Sequence, residues 1–255
     1  MARTQPPAVI SGLAGAQALG LRWVPGHDRV QVLVGPQVQR CSNEQVLVRR
    51  AVDVASIDTW RWGGLAVADA ARLVVDGARE CTSLRDVRGV VLGAVADGHA
   101  DPTTLLELLD AGAVGSTAWA RRAVGDAVRG AASPPEAEVV DGLLGCGYPF
   151  YVNPEVRMLG TFVGHLDIYL LGTGVGAEVD SKELHGQQES LDDTLVRHDR
   201  ADTCGLSLVH VTPTRYRADP EAFRGRLFGK VAERRSRGLG EPGGLEVIPR
   251  GPLLS

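Results

Sequence analysis

The sequence predicts an α/β protein in two parts. Residues 1–130 read as a mostly helical α+β domain, residues 131–236 as a domain of order αβββαβα, and residues 237–255 as a flexible tail. Three observations predict it. Apolar residues recur at helical spacing through much of 66–129, after short alternating runs typical of strands. The breaker run Gly130-Ala-Ala-Ser-Pro-Pro interrupts the chain. Beyond it, two short apolar runs, Ile168–Leu171 and Val175–Val179, are joined by Gly172-Thr173-Gly174 and carry Asp167, Glu178 and Asp180.

In order along the chain, residues 1–7 are polar and expected to fray. Ser11 caps a short Ala/Gly-rich helix ending near Gly20. Val30–Val34 and Gln45–Val48 alternate as strands. Gly63-Gly64 then leads into a helix over Ala66–Arg79. Leu84–Ala96 follows, capped by Ser83 and stopped by Gly98. Asp101 caps the next helix, with Pro102 at its first position, and Ser116–Arg129 forms another. In the second part, Ser133 and Glu136 make a capping box for a helix reaching about Gly145. A strand is expected near Val156–Leu159, then the two apolar runs, a helix over Leu191–Cys204, a strand over Leu206–Thr212 and a basic helix over Pro220–Arg235. The Gly/Pro-rich stretch after it is read as disordered.

A formal net charge of −4 excludes a uniformly basic protein and leaves room for a local basic patch. The cysteines Cys41, Cys81, Cys146 and Cys204 are scattered without a CxxC pair, which argues against a zinc site or a disulfide framework. No secretory leader is read in AVISGLAGAQALGL, and no apolar run approaches the ~20 residues that cross a bilayer. A cytoplasmic protein without a membrane partner is expected.

On a strand, side chains alternate between faces, so Glu178, Asp180 and Lys182 project together if the strand runs that far. Carboxylates at the end of an apolar strand are costly unless paired or bound to a cation. Asp167 has the alternative of pairing with an arginine, and Glu136 serves equally well as a capping glutamate. Trp60 and Trp62 read as packing residues, and His198 and His210 as structural or surface histidines. Arg224, Arg226, Lys230, Arg234, Arg235 and Arg237 form a solvated helix face, or the phosphate contacts of a bound nucleic acid.

Ser133-Pro-Pro-Glu136 on the opening helix, Gly164-His-Leu-Asp167, Glu178-Val-Asp180, His185 five residues on, and Asp199-Arg200 ahead of Cys204-Gly205-Leu206 resemble the core of the PD-(D/E)XK nuclease superfamily. More narrowly, they resemble the very-short-patch-repair-like endonuclease domains. The resemblance covers roughly 130–235 and implies a restriction-endonuclease-like core that hydrolyses DNA phosphodiesters with Mg2+ or Mn2+. It implies Asp167, Glu178 and Glu136 as metal ligands. It also implies Asp180 at the site, Lys182 orienting water or stabilising phosphorane charge, and His185 as general base or acid. Arg224, Arg226 and Lys230 are the expected DNA contacts. Ser181 stands where the group usually has glycine, Asn153 near the place of a common glutamine, and His165 where a basic residue often precedes Leu-Asp.

The first part, with its strands, the helix Val67–Arg79 and the small helices leading into Ser-Pro-Pro-Glu, resembles the region after the winged helix in AbiEi-type antitoxins. That resemblance implies a regulator in a toxin–antitoxin or defence setting, with a toxin or defence partner and a homodimer as its protein partners. The chain starts at or after the place where a winged helix would end, so base reading through such a module is not expected.

Overall fold

The computed structural model describes residues 8–112, 117–180 and 200–255. It is a mixed α/β chain that divides into two compact units, Met1–Ala127 and Val128–Ser255.

The first unit is built on a five-stranded sheet of order β3-β2-β1-β5-β4. Its strands are β1 (Ala8–Ser11), β2 (Val30–Val34), β3 (Val46–Arg50), β4 (Thr59–Trp62) and β5 (Leu65–Ala68). The short helix α1 (Gly12–Leu19) follows β1, and α2 (Ala70–Ala78), α3 (Leu84–Ala96), α4 (Pro102–Ala111) and α5 (Ala118–Val128) follow the sheet. The expected helix over Ala66–Arg79 is divided. Leu65–Ala68 pairs antiparallel with Thr59–Trp62 across Gly63-Gly64, and Asp69 caps α2 by accepting from the Arg72 N–H. Tertiary pairing overrides helical spacing there, because β5 also joins β1 and supplies the buried Ala66, Val67 and Ala68. Helix α2 lays Leu73, Val74 and Val75 into the same core as Val9, Leu33, Val90 and Leu105.

The second unit opens with α6 (Pro134–Leu143), where Ser133 Oγ accepts from the Glu136 N–H. A four-stranded sheet of order β11-β10-β9-β6 follows, made of β6 (Phe150–Val152), β9 (Ile168–Leu170), β10 (Val175–Val179) and β11 (Ser207–Val211). β6, β9 and β10 form an antiparallel meander, and β11 joins β10 in parallel. A parallel neighbour requires a crossover connection, and residues 181–199, with most of the helix expected over Leu191–Cys204, lie outside the described residues. After β11 come α7 (Pro213–Ala218) and α8 (Pro220–Ser236). Both α6 and α8 pack on β10, and all five residues of β10 are buried.

Several features depart from the expected order: β6 and α7 were not expected, and the strand expected near Val156–Leu159 is β7 (Glu155–Met158), outside the sheet of β9 and β10. Between β6 and β9 the chain makes a hairpin of β7 and β8 (Thr161–His165), where one strand was expected. The stretch expected as a flexible tail contains β12 (Leu245–Ile248), which pairs antiparallel with β7 in a three-stranded sheet of order β12-β7-β8. Leu245 and Val247 pack against buried Val156 and Val163, which explains why the segment is ordered despite its glycines.

Candidate functional site

The turn Gly172–Gly174 fixes the register of β9 against β10. Gly174 is left-handed, with φ +67, and a Cβ there would lie 2.5 Å from Arg234 Nη2. Arg234 is buried beside that turn, so it is no part of an exposed basic face. Its guanidinium donates to Thr173 O (3.0 Å), Gly205 O (2.8 Å), Ser207 Oγ (3.2 Å) and Gly240 O (2.7 Å), tying the turn to the start of β11.

From that turn the pairing runs Val175–Leu170, Gly176–Tyr169 and Ala177–Ile168. One step further along the same register, Asp167 comes beside Glu178. Asp167 lies in a bend just before β9, not within it, and its Oδ2 accepts from the Val179 N–H at 2.6 Å. Glu178 is 4% exposed on β10. On the other side of β10, Glu178 is paired with His210. Asp180 follows the end of β10 and donates its N–H to Val211 O at 2.9 Å. Its carboxylate meets His210 Nδ1 at 3.1 Å. Asp167, Glu178, Asp180 and His210 therefore gather at one end of the β9–β10–β11 sheet. A neutral His210 whose Nδ1–H donates a hydrogen bond to Asp180 carries its acceptor lone pair on Nε2.

Glu136 is engaged elsewhere. Its Oε1 accepts from Ser133 Oγ (2.7 Å), and its Oε2 accepts from the Ala132 N–H (2.9 Å) and Asn153 Nδ2 (2.6 Å). The structure gives this glutamate a capping-box role, with Asn153 as a third donor. Asn153 is left-handed, with φ 49, a conformation asparagine tolerates. It also donates its backbone N–H to Asp167 O at 3.0 Å, so it joins the cap to the bend that holds Asp167. Among the described residues, no three His, Cys, Asp or Glu side chains form a group that could hold a metal ion. Lys182 and His185 lie outside the described residues.

Arg226 donates to His210 O at 3.2 Å, on the edge of β11 that faces away from β10 and the acids. It also lines a cleft of about 410 Å3 with Arg215, Asp219 and Phe223. Arg224 pairs with Glu221 at 3.0 Å and Lys230 with Glu233 at 3.0 Å, so two of the three expected phosphate contacts already hold a carboxylate. Lys230, by hydrogen bond and charge, and then Arg237 hold the Glu233 carboxyl below its usual range.

His210, Asn153 and Arg215 are the residues that sequence reasoning missed or named only in passing. The alternation of LSLVHVT puts His210 on one face of a strand. Only the parallel register with β10 brings that face to Asp180. Compared with protein-family models, curated proteins and solved structures, the chain has no significant match.

Proposed function

We propose that the second unit is a metal-dependent DNA endonuclease of the PD-(D/E)XK, very-short-patch-repair-like kind, using Mg2+ or Mn2+. The observation that carries this reading is the register that sets Asp167 beside Glu178 at the end of an antiparallel meander followed by a parallel strand. Support also comes from Arg226 beside His210 and from the Arg215–Arg226 cleft next to β11.

The donors fit a hard divalent cation in kind, since magnesium takes carboxylate oxygens and keeps several waters. In arrangement, Asp167 and Glu178 are the ligands, and Glu136 supports them through Asn153 rather than completing the shell. A cation held by Asp167 and Glu178 would polarise a phosphate and acidify water there. Asp180 orients His210 so that Nε2 can hold a proton taken from water, and Arg226 meets a flanking phosphate from the outer edge of β11. Lys182 and His185 keep the roles that the resemblance implies.

The test is nicking of supercoiled plasmid with Mg2+ or Mn2+ against EDTA. Wild type should cut only with cation, while Asp167→Asn and Glu178→Gln should not. Cutting that survives both substitutions would reject the assignment. The engagement of Glu136 in its cap favours a second reading, a non-catalytic, type IV antitoxin-like regulator that keeps the nuclease-like core as a scaffold. Metal-independent DNA retardation, without cutting by the wild type, would select it.

A further inference from the structure

The first unit contains a cleft of about 800 Å3 beyond the carboxyl end of β3, between that strand and helices α2 and α4. Its polar lining is Arg49, Arg50, Arg72 and Arg79 against Asp53 and Asp76. Both aspartates are matched. Asp76 is 3% exposed and accepts from Ser11 Oγ (2.7 Å), Arg72 Nε (2.9 Å) and Arg79 Nη1 (3.3 Å). Asp53 accepts from Arg72 Nη1 at 2.6 Å. Neither Arg49 nor Arg50 forms a salt bridge among the described residues, although the charge of Arg49 acts on Glu80 behind it, which leaves Arg50 as the arginine without a nearby carboxylate. Arg49 Nε donates to Gln31 Oε1 at 2.7 Å, and Arg50 Nε to Val38 O at 3.3 Å.

The unmet groups at this place are donors. Gln31, behind Arg49 and not itself part of the lining, is fully buried, and its Nε2 has no acceptor. Because Arg49 needs the amide oxygen, turning the amide over would only set donor against donor. Arg79 Nη2 is likewise buried without an acceptor. A concave site with surplus arginine charge and unmet donors is short of acceptor oxygens and negative charge, which a phosphoryl group supplies in bidentate geometry. The rest of the lining is apolar, with Leu33, Val48, Val75 and Leu108, and the volume suits a small molecule rather than a duplex laid on a convex face.

We infer that this cleft binds a small phosphorylated molecule with an apolar or planar body, such as a nucleotide, held by Arg49 and Arg50 in front of the Arg72–Asp76–Arg79 network. The inference is independent of the nuclease reading, because it concerns the other unit and needs no metal.

The experiment is calorimetric titration of the full chain in EDTA with AMP and, separately, inorganic pyrophosphate, which distinguishes a nucleotide from a free phosphate. Binding of either by wild type and Asp167→Asn is expected, with affinity at least about tenfold weaker in Arg49→Ala/Arg50→Ala. Both side chains are exposed, so the double variant should keep its wild-type circular dichroism. Two outcomes overturn the inference: silence of the wild type toward both ligands, and equal affinity in the double variant.

Discussion

Glu136 shows how one residue can satisfy two different readings in a sequence and only one set of partners in a fold. A glutamate three residues after Ser133 is both a capping-box signature and, in the expected nuclease pattern, a ligand. Its oxygens accept from Ala132, Ser133 and Asn153. Replacing it by alanine should therefore cost about 1–3 kcal/mol, because those donors lose their acceptor. The loss should be the same with and without Mg2+ in urea denaturation. A loss seen only with Mg2+ present would make Glu136 a ligand after all. His165 gives a second residue-scale expectation. Burial first, then the charge of Arg250, hold its pKa below the usual value, and Arg250 Nη2 sits 3.3 Å from its Nε2. The folded state thus prefers the neutral ring. The unfolded chain takes up its proton around pH ~6.5. The stability tied to this preference is complete above that pH and is lost as the pH falls below it. His165→Gln should flatten the fall in unfolding free energy between about pH 7.5 and pH 5. An unchanged slope would assign that fall to other groups. None of this was legible beforehand, since the sequence shows that His165 precedes Leu166-Asp167 but not that Arg250 faces it.

The same contrast between local and distant information holds for whole elements. Three helix starts were legible because a cap is a short-range device, whereas Ser11 turns its hydroxyl to Asp76 instead of capping α1 and the start of α2 lies at Asp69, not Ala66. Ser83, Asp101 and Ser133 each accept from a backbone N–H two or three residues on, where the pattern placed them. Strand β12 was not legible, because SRGLGEPGG before it reads as breakers and a four-residue strand acquires meaning only from its partner. That partner is β7, paired from Leu245–Met158 to Ile248–Glu155. Past it, Phe150 and Leu254 exchange backbone hydrogen bonds of 2.9 and 3.0 Å. Deleting residues 244–255 removes the packing of Leu245 and Val247 and leaves the backbone of β7 open on one side. The deletion should lower stability by about 2–4 kcal/mol, read from the shift of the urea midpoint. A change below about 1 kcal/mol would return the segment to the status of a dispensable tail.

At the scale of the molecule, the break at Gly130–Pro135 was legible because glycine, the Ser133 cap and two prolines coincide there. Gly130 is left-handed, with φ +101, and the division into units falls just before it, after Ala127. A strand was expected where β7 lies, but β8 and the hairpin it makes with β7 were hidden, because Thr161–His165 carries too little alternation to read as a strand without its partner. Beyond the break, the second unit has the parts of a free-standing domain. Its sheet is covered by α6 and α8, its small sheet packs Val156, Val163 and Leu166, and Arg234 ties the central turn to the start of β11. A chain of ~130 residues is long enough to bury a core of its own. Residues 128–255 expressed alone should therefore unfold in one cooperative transition, followed by circular dichroism and fluorescence with coincident midpoints. Arg234→Ala in that fragment should lower the midpoint sharply, because the buried guanidinium's bonds to the carbonyls of Thr173, Gly205 and Gly240 are lost together. A broad melt that differs between the two probes would show that the second unit cannot stand on its own core. The cation-binding end of its sheet would then have to be tested only in the full chain.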